Sequence, residues 1–330
     1  MKLSKRVLIM LLAICTLTSV FATGQNEKDS ATAAEGYPKN AIQIVVPANP
    51  GGDTDMTARF IAKEMEKTLG VSMPIVNMAG SAGTLAANDV INSAANGYKV
   101  MYFHTDAIVS NLLGVNPHKW DTAFEIAGIP SYVENFAMFT SSSSPYSTLE
   151  ELIAYAKDPK NKKLIYSTDI GSINQVLGRV IQKKAGINFI EVDGGNAANR
   201  VAALKGEQID LVCLPYNVAQ DYVTNGDFKC IGLIASDRNS FIEGVPTFKE
   251  QGMDVSYKKF FFFGFKKGTP QSIVDTFTAS IKQACESPSY AKDLTKYGMK
   301  PIYLNPSEAA VFMQDQEDVY QQYVDMALTK

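Results

Sequence analysis

Glycines and small polar residues follow several apolar runs at the points where helix-like patterns begin. The glycine positions are Gly51–Gly52, Gly80 to Gly83, Gly171 and Gly194–Gly195. Glycine permits close approach to the backbone, and a helix N-terminus offers free N–H groups with partial positive charge, so such a turn can bind an anion. One such segment alone is usually only a tight turn. Because four of them occur in two matching stretches, anion binding and a purely structural turn are equally good interpretations.

Residues for catalysis or metal binding are scarce. His104 and His118 are the only histidines, and the sequence has no metal-spaced His/Cys cluster, Walker loop, G-x-S-x-G or G-x-G-x-x-G pattern. His104 ends an apolar run and fits a lining or packing residue better than a general base. We therefore expect a protein that is not an enzyme, with no catalytic residue, no metal and no cofactor.

Alternating strand and helix patterns predict how the glycine segments are positioned. Strands are predicted at 41–47, 72–77 and 98–104, with amphipathic helices between them, which is typical of a parallel sheet. A second α/β unit is predicted from about 145 to 250. Because strand-to-helix turns lie at one edge of a parallel sheet, the glycine segments of both units are expected to face a common cleft.

Two segments are expected to cross between the units. They are 132–144 and the phenylalanine-rich strand 257–268, which we expect to be buried, although one of its rings could wall the cleft. The side chain of Trp120 is compatible with a position in the core or in the cleft. The predicted lobes are 37–140 with 255–330, and 141–254. Two helices are predicted to close the chain.

The N-terminus predicts export to the periplasm. Lys2, Lys5 and Arg6 precede a short apolar run, so residues 1–22 are predicted to be a signal peptide and 23–36 a disordered tether. Lipid anchoring at Cys15 is not favoured because Ile14 is bulky. Loss of the three cations changes the formal charge from −3 to −6, which argues against nucleic acid as a partner.

Three cysteines remain after cleavage: Cys213, Cys230 and Cys285. Cys213 and Cys230 lie in two apolar strand-like runs. They could form a disulfide or remain two small buried thiols, and the second alternative is favoured.

Several spaced segments resemble the periplasmic substrate-binding proteins of tripartite tricarboxylate transporters, the Bug family. IQIVVPANPGGDTDMTAR is similar to the family's first strand, glycine loop and helix, and VNMAGSAGTLAANDVINSAANGY to its second loop and helix. IEVDGGNAANRVAALKGEQIDL resembles the loop of the second domain, and ASDRNSFIEGVPTFKEQG matches a family signature. The resemblance covers almost all of the chain after the signal peptide.

The resemblance implies an α/β, two-lobed type II periplasmic-binding-protein fold, with parallel-sheet cores and an interdomain cleft that closes on a small carboxylate. In that family backbone N–H groups and bridging waters hold the carboxylate, not an arginine clamp, and no lysine or arginine is evident in these loops. The expected ligand-binding residues are Asn49, Pro50, Gly51, Gly52, Asp53, Asp55, Ser81, Ala82, Gly83, Thr84, Thr105, Ser167, Ser172, Asn174, Asp193, Gly194 and Tyr216. Asp55 has a second interpretation, as a cap or brace of the first helix.

The chain departs from the family pattern at three positions. Asp193 stands where a lysine is usual, Asp53 adds an acid to the first loop, and Asn96 replaces an aspartate. An acid in the cleft would repel di- and tricarboxylates. We therefore expect a ligand with one carboxylate, either an organic acid or a compound that also carries a positive group, such as an amino acid. Alternatively, Asp193 points to solvent or caps the helix at Ala197.

The resulting prediction is a monomeric periplasmic receptor that captures a small carboxylate and delivers it to the membrane permease subunits of a tripartite tricarboxylate-type transporter. Asp193 and Tyr216 are expected to tune its selectivity. Two alternatives stay open from the sequence: a sensory component that signals ligand occupancy to a membrane sensor kinase, and an exported enzyme that uses the same cleft.

Overall fold

Two β-sheets flanked by helices make up the part of the chain that the structure describes. The structure is a computed structural model, and it describes residues 36–329. The predicted signal peptide, Cys15 and nearly all of the predicted tether lie outside the described residues, so those expectations stay predictions.

The first sheet has six strands in the order β11-β4-β10-β3-β1-β2. Their bounds are β1 Gln43–Val46, β2 Ile75–Asn77, β3 Lys99–His104, β4 Phe124–Val133, β10 Lys259–Lys266 and β11 Lys300–Leu304. β1 pairs in parallel with β2 and β3, as the strand-helix-strand pattern predicts. β10 is antiparallel to β3 and β4, and β11 is antiparallel to β4. The sheet is therefore mixed rather than purely parallel.

The second sheet has five strands in the order β7-β6-β8-β5-β9. Their bounds are β5 Phe136–Ser141, β6 Ile165–Thr168, β7 Ile190–Asp193, β8 Leu211–Pro215 and β9 Phe228–Leu233. β6 is parallel to β7 and β8, whereas β5 is antiparallel to β8 and β9. The carboxyl ends of β6 and β7 therefore lie at one edge, where the loops after Thr168 and Asp193 begin.

The helices cover both sheets. Their bounds are α1 Asp53–Leu69, α2 Thr84–Ile91, α3 Asp106–Leu112, α4 Trp120–Ala123, α5 Leu149–Lys157, α6 Ile173–Ala185, α7 Ala197–Lys205, α8 Tyr216–Thr224, α9 Gln271–Cys285, α10 Pro288–Thr295 and α11 Pro306–Leu328. Gly70 ends α1 in a left-handed conformation, and Thr148 with Glu151 forms the predicted capping box of α5. Helix α10 and strand β11, between the two predicted closing helices, were not predicted. No helix within the described range is long and apolar enough to cross a membrane.

The phenylalanine-rich strand β10 is a core strand. Phe261 and Phe263 pack on one side of the sheet and Phe260 and Phe262 on the other, and all four are fully buried. Their alternation follows the two-residue period of a strand. Trp120 is also buried, and its Nε1–H donates to Glu317 Oε2 at 2.7 Å. These aromatic residues therefore pack in the core.

The crossing between the sheets lies slightly earlier in the chain than the proposed boundary at 140. β4 ends at Val133 in the first sheet, and β5 begins at Phe136 in the second. The bounds of the two lobes remain our proposal, and we now place the first crossing at Glu134 and Asn135.

The three cysteines of the described chain are free thiols. Cys213 on β8 is paired with Met138, and Cys230 on β9 is paired with Phe139, with β5 lying between them. Since adjacent residues of a strand point to opposite faces, the two thiols lie on opposite faces of the sheet and two strands apart. Disulfide geometry requires much closer Cβ atoms, so this structure favours the buried-thiol alternative.

Candidate functional site

The first loop is braced by Asp55. Its carboxylate is 2% exposed and accepts hydrogen bonds from Gly51 N–H at 2.9 Å and Asn77 Nδ2 at 2.9 Å. Arg59 adds two more, from Nε at 3.0 Å and Nη2 at 2.9 Å. Burial would raise the pKa of Asp55, but these bonds outweigh burial and hold the pKa below its ordinary value. Asp55 therefore acts as a brace, the second of its two interpretations.

Asp53 stands at the start of α1, paired with a lysine from another element. Lys259 Nζ lies 2.7 Å from Asp53 Oδ2. Burial acts to raise the pKa of Asp53, but the charge and hydrogen bond of Lys259 and the Thr54 N–H outweigh it and lower the pKa. Asn49, Pro50, Gly51 and Gly52 are exposed in the same loop.

His104 is neutral at the back of this loop. Burial first, and then the charge of Lys259, lower its pKa well below the ordinary value. Its Nδ1 accepts the Asp106 N–H at 3.2 Å, which is consistent with the neutral ring. This environment fits the packing interpretation of His104, because the ring is buried and its Nδ1 is occupied by the Asp106 N–H.

The second loop is a left-handed turn. Ser81, Ala82 and Gly83 have φ of 47°, 50° and 86°, a region that non-glycine residues rarely adopt. A Cβ on Gly83 would lie 2.5 Å from the Phe103 ring, so the turn also packs tightly on β3. The turn leads into α2, whose first residue, Thr84, has a buried hydroxyl without a hydrogen-bond partner in the described chain.

Thr105 and Asp106 follow β3. Thr105 is fully buried, and its hydroxyl donates to Lys258 O at 3.1 Å and accepts from Phe260 N–H at 3.0 Å. It joins β3 to β10 and has little capacity left for a ligand. Burial raises the pKa of Asp106 to about 7, helped by the charges of Asp169 and Asp53 and opposed by those of Lys259 and Arg200. Its Oδ1 is buried and has no partner among the described residues.

In the second lobe, Asp169 organises the loop after β6. Its Oδ1 accepts from Ser172 Oγ at 2.7 Å, from Asn174 Nδ2 at 2.6 Å and from Arg200 Nη1 at 3.2 Å. Ser172 is also the N-cap of α6, accepting the Asn174 N–H. Asn174 and Arg200 are 5% and 4% exposed. Asn174 Oδ1 and Arg200 Nε are buried, without partners in the described part of the chain.

Ser167 and Gly194 lie beside this group. Ser167 is fully buried on β6, and its Oγ has no partner within residues 36–329. Gly194 N–H donates to Thr168 O at 2.8 Å, and a Cβ on Gly194 would collide with Ser167 Oγ and lie 2.7 Å from Arg200 Cγ. Glycine is therefore required here for close packing of the loop on the arginine.

Asp193 and Tyr216 have local roles. Asp193 is exposed and accepts the Gly195 N–H at 3.1 Å, while Asn196 rather than Asp193 caps α7. Tyr216 is half-buried, with its ring 5.9 Å from that of Phe139. Burial raises the pKa of Tyr216. A ligand contact by either residue remains a prediction that these positions do not by themselves support.

The two lobes meet at these loops. Val115, just after α3, packs against Gly171, and α3 contacts α6. Five of the ten buried side-chain atoms that lack a partner in the described chain belong to helix and strand residues beside the loops at this junction. They are those of Thr84, Asp106, Ser167, Asn174 and Arg200. Since an unpaired buried polar atom costs about 1–3 kcal/mol, this concentration indicates a place built to bind a polar ligand.

The helix N-termini at this junction differ in how they are capped. Ser172 caps α6 and Asn196 caps α7, and Asp53 Oδ1 accepts the Thr54 N–H in the first turn of α1, but no side chain caps α2. The first N–H groups of α2 carry partial positive charge, which suits an anion. Among residues 36–329, no group of three or more His, Cys, Asp or Glu side chains is arranged to hold a metal ion.

Four charged residues at this junction were not predicted as site residues: Asp106, Asp169, Arg200 and Lys259. The loops themselves contain no lysine or arginine, as the sequence shows, but the fold brings Lys259 from β10 and Arg200 from α7 beside them. Asp106 and Asp169 could have been found, because each follows the end of a predicted strand, as the glycine loops do. Arg200 and Lys259 carry no local signal, because only the tertiary fold brings them to the loops.

Comparison with known proteins agrees with this architecture. A family described as tripartite tricarboxylate transporter family receptors matches residues 57–326. The protein BugT of Bordetella pertussis is 26% identical over 291 residues, covering 86% of this chain and 88% of BugT.

Two solved structures are similar over nearly the whole described fold. The periplasmic binding protein BugD has a TM-score of 0.74 at 23% identity, with 88% of this chain and 98% of BugD covered. MatC from Rhodopseudomonas palustris, solved with bound malate, has a TM-score of 0.76 at 24% identity, with 87% of this chain and 100% of MatC covered. Because the family match spans most of the sequence and the fold is that of periplasmic binding proteins, the chain belongs to the tripartite tricarboxylate transporter family of receptors, with their two-lobed solute-binding fold.

Proposed function

We propose that this protein captures a small carboxylate between its two lobes and delivers it to the membrane permease subunits of a tripartite tricarboxylate-type transporter. It acts as a monomeric receptor in the periplasm and catalyses no reaction. Family membership supports the receptor role, and the malate bound to MatC supports a carboxylate as ligand.

The observation that carries the proposal is the set of unpartnered buried polar atoms at the junction of the lobes. Thr84 Oγ1 and Asp106 Oδ1 come from the first lobe, and Ser167 Oγ, Asn174 Oδ1 and Arg200 Nε from the second. The N-terminus of α2, which has no side-chain cap, adds backbone donors. A carboxylate accepts hydrogen bonds only, so it can satisfy the guanidinium and hydroxyl donors while the N-terminus of α2 stabilises its charge.

Binding is tested by isothermal titration calorimetry with the ligand that gives the largest thermal shift in a panel of mono-, di- and tricarboxylates and amino acids. The variants are Ser167→Ala and Thr84→Val, one from each lobe. Neither hydroxyl has a partner in the described chain, so we expect each variant to unfold at a free energy within about 0.5 kcal/mol of the wild type. Each should bind the ligand roughly three- to tenfold more weakly, since about 1 kcal/mol of hydrogen bonding is lost.

The matched control is Ser280→Ala. Ser280 is equally buried, on α9, but its Oγ donates to Phe277 O at 2.6 Å. This variant should lose about 1 kcal/mol of stability and keep its affinity. If no carboxylate in the panel binds the wild type, the proposed function is wrong. If binding is unchanged in both cleft variants, the site is elsewhere.

Delivery is tested separately in cells. Uptake of the radiolabelled ligand should require both this protein and the permease subunits, and should fall to background when either gene is deleted. Uptake that persists without this protein, together with a ligand-dependent change in kinase output, would instead support the sensory role.

A further inference from the structure

The junction of the lobes contains acceptors without donors as well as donors without acceptors. Asp106 Oδ1 and Asn174 Oδ1 are buried hydrogen-bond acceptors with no partner in the described chain, one from each lobe. The orientation of the Asn174 amide is fixed, because its Nδ2 donates to Asp169 Oδ1 at 2.6 Å. Turning the amide over would place two oxygens against each other. A carboxylate has no hydrogen to give these two acceptors.

Among the described residues, no lysine or arginine is paired with Asp106. Among the charged groups that face it, Asp53 is paired with Lys259 at 2.7 Å, and Asp169 with Arg200 at 3.2 Å. His104 Nδ1 lies 3.8 Å from Asp106 Oδ2 but is neutral. Tyr257 and Tyr320 also face it, and both are uncharged at neutral pH because burial raises their pKa.

An ammonium group suits this arrangement. It carries three donors and one positive charge, so it can reach an acceptor from each lobe and neutralise the unpaired acid. We propose that the receptor takes an amino-carboxylate and that Asp106 with Asn174 receives its ammonium group, while the N-terminus of α2, Arg200 and the hydroxyls hold the carboxylate. The inference rests on the proposed function and replaces exposed Asp193 with Asp106 as the selecting acid.

The test compares amino acids with their deamino analogues by calorimetry at pH 7. Pairs such as L-aspartate with succinate, L-leucine with 4-methylpentanoate and L-alanine with propionate differ only in the ammonium group. We expect at least one amino acid to bind the wild type ten times or more tightly than its analogue. In Asp106→Asn, that amino acid should bind roughly tenfold to a hundredfold more weakly, as expected for loss of a charge-assisted hydrogen bond.

A proton readout separates a ligand contact from a structural effect. Ammonium binding holds Asp106 ionised, so the wild type should release a fraction of a proton near pH 7. The binding enthalpy should then differ between phosphate and Tris buffers, whose ionisation enthalpies differ. This buffer dependence should vanish in Asp106→Asn. The control Asp275→Asn changes an exposed acid on α9 and should retain both the discrimination and the proton release.

Each outcome decides the inference. Equal or tighter binding of the deamino analogues would overturn it and leave the receptor function standing. Equal weakening of both members of a pair in Asp106→Asn would also overturn it, because Asp106 would then act through the structure. If no compound of either kind binds the wild type, the proposed function fails and the inference fails with it.

Discussion

Single residues in this protein divide into braces and residues poised for a ligand. Asp55 and Thr105 have hydrogen-bond partners from several elements and hold the loops in place. Asp106, Ser167 and Asn174 are buried or partly buried, and each has an atom without a partner in the described chain. The distinction between Asp55 and Asp106 could not be made from the sequence, because both are aspartates at a helix start and only their tertiary neighbours differ.

Asp106 should make the ligand-free protein less stable as pH rises. Its pKa is raised to about 7 in the folded state from about 3.9 in an unfolded chain, so the folded state binds the extra proton. The loss of folding stability that comes from ionising Asp106 is absent below about pH 4. It grows between the two pKa values and is complete above pH 7. Because 29% of the side chain is exposed, we expect Asp106→Asn to gain about 1–2 kcal/mol at pH 8, well below the roughly 4 kcal/mol that the full shift implies.

Urea unfolding of the ligand-free protein at pH 4.5 and pH 8 measures this effect. The gain from Asp106→Asn should shrink markedly at pH 4.5, where Asp106 stays protonated in the folded state. A variant that is destabilised equally at both pH values would show that Asp106 makes contacts that favour the fold in its ionised form.

At the scale of elements, glycine is needed in the turns for two different reasons: a left-handed backbone, and close packing against a neighbouring side chain. Gly51 and Gly83 have nearly the same φ, 85° and 86°, but a Cβ on Gly51 would meet nothing within 4 Å whereas one on Gly83 would meet the Phe103 ring. Gly51→Ala should therefore cost only the left-handed backbone penalty, about 1–2 kcal/mol. Gly83→Ala should cost a further 1–3 kcal/mol, roughly, for overpacking against β3. Equal losses in urea unfolding of the two variants would contradict this packing of the second loop.

The element order was predictable where the pattern is local. The parallel unit β1–β3 and the capping box of α5 follow from hydrophobic period, glycine stops and cap residues within a few positions. The antiparallel insertion of β10 between β3 and β4 was not predictable in this way, because partners more than a hundred residues apart leave no trace in a local window. The pairing of Lys259 with Asp53 could not be predicted for the same reason, because it depends on β10 lying between β3 and β4.

At the scale of the whole molecule, the chain crosses between the sheets near Glu134 and again before β10, and α11 lies against both. Tyr320 OH accepts the Lys258 N–H at 3.2 Å and donates to Lys258 O at 2.9 Å, so α11 holds the second crossing. Helix α11 also packs on α6 beside the second sheet. Hinge closure on a ligand would then be carried by these crossings, with the candidate site at the moving junction.

Hydrogen–deuterium exchange of the full protein, with and without its tightest-binding carboxylate, tests the central claim that the ligand bridges the two lobes. The account predicts slower exchange in 49–54, 81–84 and 104–107 of the first lobe together with 167–174 and 193–197 of the second. Protection confined to one lobe, or centred on the separate surface cavity lined by Arg238, Phe241 and Lys300, would contradict it.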